Sequence, residues 1–103
     1  MHTAGRGEGA LRRYRVSISE TSYFLTLCTE NRTEGVTHDD VASAIRAEIT
    51  SLETDGHWSQ RAGVLMPDHL HLLVKLTGNL SIARCVARLK TKTRAALLAR
   101  GLS

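Results

Sequence analysis

A chain of 103 residues, 42% hydrophobic and 23% charged, has room for one domain with one modest core, and its composition excludes a wholly disordered polymer. With one Trp, two Tyr and one Phe, that core must be aliphatic. The formal net charge of +4 directs attention to anionic partners, nucleic acid being the commonest, but charge alone does not separate a nucleic-acid binder from an ordinary basic domain.

The amino terminus, Met1 to Gly9, is rich in glycine and polar residues and holds no apolar stretch suited to a signal peptide or membrane span, so residues 1–10 are expected to be disordered and 11–103 to form the domain. Arg12 to Ser19 alternates with a period of two through Tyr14, Val16 and Ile18, and Tyr23 to Thr29 is again β-rich. The polar break Glu20-Thr21-Ser22 makes the two a hairpin. A helix follows: Thr37 and Asp40 have capping-box spacing, Asp39 and Asp40 suit the positive end of the helix dipole, Val41, Ile45, Ile49 and Leu52 recur at helical spacing, and Gly56 is the stop. Trp58 to Met66 reads as a strand closed by Pro67-Asp68, a pair that cannot extend a sheet ladder and favours a turn.

The next strand carries the most information. From His69 to Leu76 the even positions, Leu70, Leu72, Val74 and Leu76, form an unbroken apolar face, while the odd positions are His69, His71, Leu73 and Lys75. Ser81 then caps a second helix whose buried stripe is Ile82, Val86, Leu89 and Leu97, and Gly101 ends it. Strand, helix, two strands and helix, with a further strand in front, predict an α+β fold: a ferredoxin-like two-layer sandwich, an antiparallel sheet with two helices on one face. The apolar face of the histidine strand belongs under the helices, which leaves His69 and His71 on the open face.

Two imidazoles separated by one residue on a strand point the same way and can converge on one cation, although an isolated His-Leu-His is more often two surface histidines on a half-exposed sheet. Cys28 and Cys85 match no zinc or redox spacing and read as reduced thiols in a cytoplasmic protein. His38 and His57 have no partner at ligand spacing. Tyr23, Phe24 and Trp58 could stack on unpaired bases, although aromatics on strands of an aromatic-poor chain are more often core.

The run Val64-Leu65-Met66-Pro67-Asp68-His69-Leu70-His71-Leu72-Leu73-Val74 resembles the HUH segment of the REP-associated tyrosine transposases, relatives of the single-tyrosine insertion-sequence transposases. Tyr23-Phe24-Leu25-Thr26 followed by Thr29-Glu30-Asn31-Arg32 is similar to that family's first strand and Asn-Arg turn, so the resemblance spans about Arg13 to Lys92. It implies single-stranded or hairpin DNA as the partner, Mg²⁺ or Mn²⁺ held by His69 and His71 as the cofactor and catalytic centre, and cleavage and rejoining of DNA through a tyrosine phosphate ester, in a monomer or a homodimer. The family's tyrosine helix and its further metal ligand would lie past Ser103. Tyr14 and Tyr23, the only tyrosines, sit among apolar strand residues.

Under the same resemblance, Arg84, Arg88 and Lys92, four residues apart on the second helix, with Lys90 and Arg94 beside them and Arg12, Arg13 and Arg15 near the amino end, are the candidate phosphate contacts. Composition alone would make the helical stripe a solvated face. The alternatives to a nuclease domain are a DNA-binding remnant without cleavage and a small ferredoxin-like metal-binding protein.

Overall fold

The computed structural model describes residues 2–3 and 21–103. Four strands, β1 (His2–Thr3), β2 (Ser22–Cys28), β3 (Trp58–Met66) and β4 (His69–Leu76), form an antiparallel sheet in the order β1-β2-β4-β3. Helices α1 (Asp39–Thr54) and α2 (Ile82–Ala99) complete an α+β fold of three principal strands and two helices, as the alternation predicts. The expected strand Arg12 to Ser19 and Glu20 of its turn lie outside the described residues, while Ser22, expected in the turn, opens β2. Of the stretch expected to be disordered, His2 and Thr3 pair with Cys28 and Leu27 at the outer edge of β2, and the rest lies outside the described residues.

Burial along β4 alternates without a break. Leu70, Leu72, Val74 and Leu76 are at most 1% exposed, whereas His69, His71, Leu73 and Lys75 are half-buried on the other face. The four aliphatic side chains join Tyr23, Leu25 and Leu27 of β2 and the inner faces of both helices in one core. Each contributes about 1.5–3 kcal/mol by leaving water. Trp58 is also core: its indole N–H donates to the Ile49 carbonyl at 3.1 Å, which pins the start of β3 against α1.

Both helices end as their glycines predict. Gly56 and Gly101 adopt φ of 83° and 72°, and the residues that follow them, His57 and Leu102, donate back to the Leu52 and Leu97 carbonyls at 2.9 Å. This is the left-handed reversal that glycine accepts at least cost. The second start signal also holds, with Ser81 Oγ accepting from the Arg84 N–H at 3.1 Å. The first does not: α1 is capped by the backbone of His38 with no side-chain cap bond. Helix α1 begins one residue later than the Thr37–Asp40 spacing requires, and the Asp40 carboxylate accepts instead from the Val41 N–H and from Arg100.

A polar joint fastens the two helices together. Arg88 on α2 donates to Glu48 at 2.7 Å, Ser51 at 2.9 Å and Asp55 at 2.8 Å, three acceptors on one face of α1. The basic stripe expected to face solvent is therefore interrupted, because Arg88 is turned inward by the acidic face of its neighbour. Glu48 is only 8% exposed, so removing the guanidinium would strand a desolvated carboxylate. Arg88→Met should lower the melting temperature by roughly 8–16 °C. Arg84→Met should stay within about 0.5 kcal/mol of the parent. Thermal unfolding of the two variants side by side checks this; equal melting temperatures would show the joint to be dispensable.

Candidate functional site

The pairing of β4 with both neighbours assembles the site. On the open face Thr26 of β2 lies opposite His71 and Cys28 opposite His69, while Val64 and Met66 of β3 lie opposite the same two histidines from the other side. Strand pleating therefore surrounds the imidazoles with an apolar rim on one side and a hydroxyl on the other.

The imidazoles converge. His69 Nε2 and His71 Nε2 are 3.0 Å apart, with ring centroids 4.6 Å apart and planes at 82°. Their other nitrogens are held from behind, His69 Nδ1 by Asp68 Oδ1 at 2.6 Å and His71 Nδ1 by Thr26 Oγ1 at 3.2 Å. Arg32 Nε donates to the second Asp68 oxygen at 2.7 Å. That bond from Arg32, with the one from His69, lowers the Asp68 pKa to about 2, so the carboxylate is ionised across the neutral range and can only accept.

Proton accounting then fixes one ring. A neutral His69 carries its proton on Nδ1, facing Asp68, which leaves a lone pair on Nε2 aimed at His71. Arg32 Nη2, 3.4 Å from the same Nδ1, makes a contact without a shared proton, since both atoms bear hydrogen. His71 has two choices. It can donate from Nε2 to His69 while Thr26 donates to its Nδ1, or it can donate from Nδ1 to Thr26 and leave two lone pairs facing each other at 3.0 Å. The second arrangement is repulsive unless a cation lies between them. A pair of neutral imidazoles, one backed by a carboxylate, is the donor set that imidazole-tolerant divalent ions use, and the carboxylate behind it sets the tautomer. Among the described residues no third His, Cys, Asp or Glu completes a cluster.

Arg32 and Asp68 reach their positions through the β2–α1 connection. Glu30–Arg32 is a short 3-10 turn in which Asn31 and Arg32 have φ of 56° and 55°, the left-handed region that costs a non-glycine residue about 1 kcal/mol or more. The connection wraps the Pro67-Asp68 turn: Gly35 N–H and Val36 N–H donate to the Pro67 carbonyl at 2.8 and 2.9 Å, and Thr29 N–H to the Asp68 carbonyl at 3.0 Å. The buried Thr29 hydroxyl ties the loop to itself through the Thr33 carbonyl at 2.7 Å.

The other predicted residues are not gathered here. Arg12, Arg13, Arg15 and Tyr14 lie outside the described residues. Arg84, Lys92 and Arg94 are exposed on α2, across the sheet from the imidazoles, and Arg88 is engaged by α1. Lys90 and Arg94 line a cavity of about 470 Å³ with Glu30, Leu97, Leu98 and Ser103. Tyr23 is buried on the core face, so the sheet itself separates its hydroxyl from the histidine pair. Cys28 and Cys85 are free and buried, and burial raises the Cys85 pKa to about 11, which leaves an inert thiol. Of the aromatics, Phe24 alone among the described residues is exposed, at 65%.

A family model described as transposase, IS200-like, matches residues 17–101. The chain belongs to the IS200-like transposase family. Among solved structures, this transposase chain is similar to a REP-associated tyrosine transposase bound to a REP hairpin, with 23% identity and a TM-score of 0.66 over 80% of the chain and 50% of that protein. It is also similar to a candidate transposase from Deinococcus radiodurans R1, with 27% identity and a TM-score of 0.62 over 82% of the chain and 65% of that protein. The chain thus spans half to two-thirds of the length of these relatives. No curated protein sequence matches it. Among the described residues of this family member no helix is long and apolar enough to cross a membrane.

Asp68 was legible in the sequence only as a turn former, and Arg32 only through the Asn-Arg resemblance. Their joint action on His69 is open to direct measurement. Long-range ¹H–¹⁵N correlation spectra should show His69 protonated at Nδ1 in the metal-free protein, and Asp68→Ala should shift the proton toward Nε2. An Nε2-protonated His69 in the parent protein would break the proton accounting given above.

Proposed function

We propose that this chain is the metal-bearing, single-strand-binding part of a tyrosine transposase, with His69 and His71 holding Mg²⁺ or Mn²⁺ through Nε2. The observation that carries the reading is the convergence of two Nε2 atoms to 3.0 Å on an open sheet face, each ring fixed through its opposite nitrogen. A divalent ion bound there would act as a Lewis acid on a scissile phosphate. The chain's own residues supply the rest of the ground state. Asp68 keeps His69 in the tautomer that leaves Nε2 free, Arg32 fixes Asp68, and Thr26 orients His71.

DNA is the partner proposed, through family membership, the net charge of +4 and the likeness to a protein described with a REP hairpin. Exposed Arg84, Lys92 and Arg94 are suited to flanking phosphates that wrap the helical side, while Arg32 and Lys75 serve the sheet side. Attack on the phosphate needs a hydroxyl held in line at about 3 to 3.5 Å, and Tyr23 is on the wrong face to provide it. The covalent step is assigned to a tyrosine outside the described fold.

Titration with Mn²⁺ tests the metal site. The parent protein should bind, the double variant His69→Ala, His71→Ala should not, and Asp68→Asn should bind roughly 10- to 100-fold more weakly. Equal affinity in the parent and the double variant would remove the histidines from any metal site.

Incubation with end-labelled hairpin DNA and Mn²⁺ tests the assignment of the nucleophile. The 103-residue chain should bind the strand in a salt-dependent manner and leave no denaturation-resistant adduct. An adduct that vanished in Tyr14→Phe or Tyr23→Phe would overturn that assignment.

A further inference from the structure

The open face of the sheet presents an apolar surface that the metal reading leaves unused. Phe24 of β2 is 65% exposed, and on β3 Val64 and Met66, opposite the two histidines, are 53% and 39% exposed. A strand residue this large and this exposed contributes little to the core, and the other described aromatics, Tyr23 and Trp58, are buried. The Phe24 ring is coupled to the site: its centroid is 5.6 Å from that of His71, with the planes inclined by only 30°. Among the described residues, the register places Ser22, Thr26 and Lys75 on its face, with Ser59 opposite Lys75, none of them acidic, and the carboxylate of Asp68 is paired with Arg32. A flat apolar ring beside a cation-seeking pair, on a face that also carries Lys75, matches the two parts of a nucleotide, a π-faced base and an anionic phosphate.

We propose that Phe24 is the stacking platform for one unpaired nucleobase, seated so that the phosphate one sugar away faces His69 and His71. The inference rests on the reading of this chain as a single-strand binder and adds the element that sets which phosphate is presented. A base held in a duplex has both its faces covered by neighbours and cannot lie on the ring, so the platform selects unpaired nucleotides without reading their sequence. Phe24 is in this sense a positioning residue. Val64 and Met66 form the far wall of the same seat.

The test uses hairpin DNA with a single-stranded flank in which 2-aminopurine replaces one flank base at a time, since its fluorescence is quenched by stacking. One position should be quenched by the parent protein, the quenching should disappear in Phe24→Ala, and Phe24→Trp should restore it. An abasic site at that position should weaken binding by the parent roughly tenfold, the equivalent of about 1.4 kcal/mol, and should not weaken binding by Phe24→Ala further. Circular dichroism of each variant verifies the fold. Quenching that persists in Phe24→Ala, or an abasic penalty of equal size in both proteins, overturns the proposal. So does a Phe24→Ala variant that binds DNA like the parent and differs only in sedimentation, which would make the face a contact between copies of the chain. A parent protein that binds the hairpin with no quenched position removes the platform while leaving the broader reading intact. A parent protein that binds no single-stranded or hairpin DNA removes both.

Discussion

β4 lies between β2 and β3, paired with both, and it serves two purposes that must not exchange places. Its even residues seal the core against both helices, and its odd residues include the two imidazoles. The period of a strand is two, so a shift of one residue in pairing would put four aliphatic side chains in water and drive the histidines into the core. The aliphatic half of the strand therefore enforces the geometry of the other half. Burial on the opposite face puts the two imidazoles on one side of the sheet, and the contacts to Asp68 and Thr26 hold the rings with their Nε2 atoms toward each other.

The same separation of faces distributes the remaining chemistry. The helices occupy the buried side, so their cations stand across the sheet from the histidines, and Arg88 is drawn into the joint between α1 and α2. What the open side has gained is supplied by connections: Arg32 from a strained turn, Asp68 from the β3–β4 reversal and Thr26 from the adjacent strand. These groups adjust the protonation of the histidines. They do not compete with them for a cation, because both Asp68 oxygens are engaged by Arg32 and His69.

Local pattern carried most of the fold. β3 and β4 run from the residues their alternation indicates, both helices end at their glycines, and His69 and His71 fall on the open face because Leu70 to Leu76 had to be core. Features that depend on which strands are neighbours were not legible. Thr26 is the fifth of seven residues in its own strand and 45 residues from His71, and nothing local marks it as the partner of that ring. The inward turn of Arg88 required knowing that the Glu48, Ser51 and Asp55 face of α1 lies against α2. Phe24 presented the reverse difficulty, since composition favours burial for a strand aromatic and only the sheet's orientation shows which of the adjacent Tyr23 and Phe24 is outside. The first cap departs from its spacing: the helix starts from His38, and Asp40 bonds to the Val41 N–H and to Arg100.

The far end of α2 has a mechanical consequence. Leu102 is buried behind the helix's terminal glycine, and the Ser103 carbonyl accepts the Glu30 N–H at 3.1 Å. Glu30 opens the turn whose last residue, Arg32, holds the carboxylate behind His69. The backbone at Ser103 is thus joined to an imidazole through a backbone bond, a left-handed turn and the Arg32–Asp68 ion pair, the Arg32 side chain being the one flexible part of the path. Displacing the backbone at Ser103 would therefore reach the carboxylate that sets the His69 tautomer.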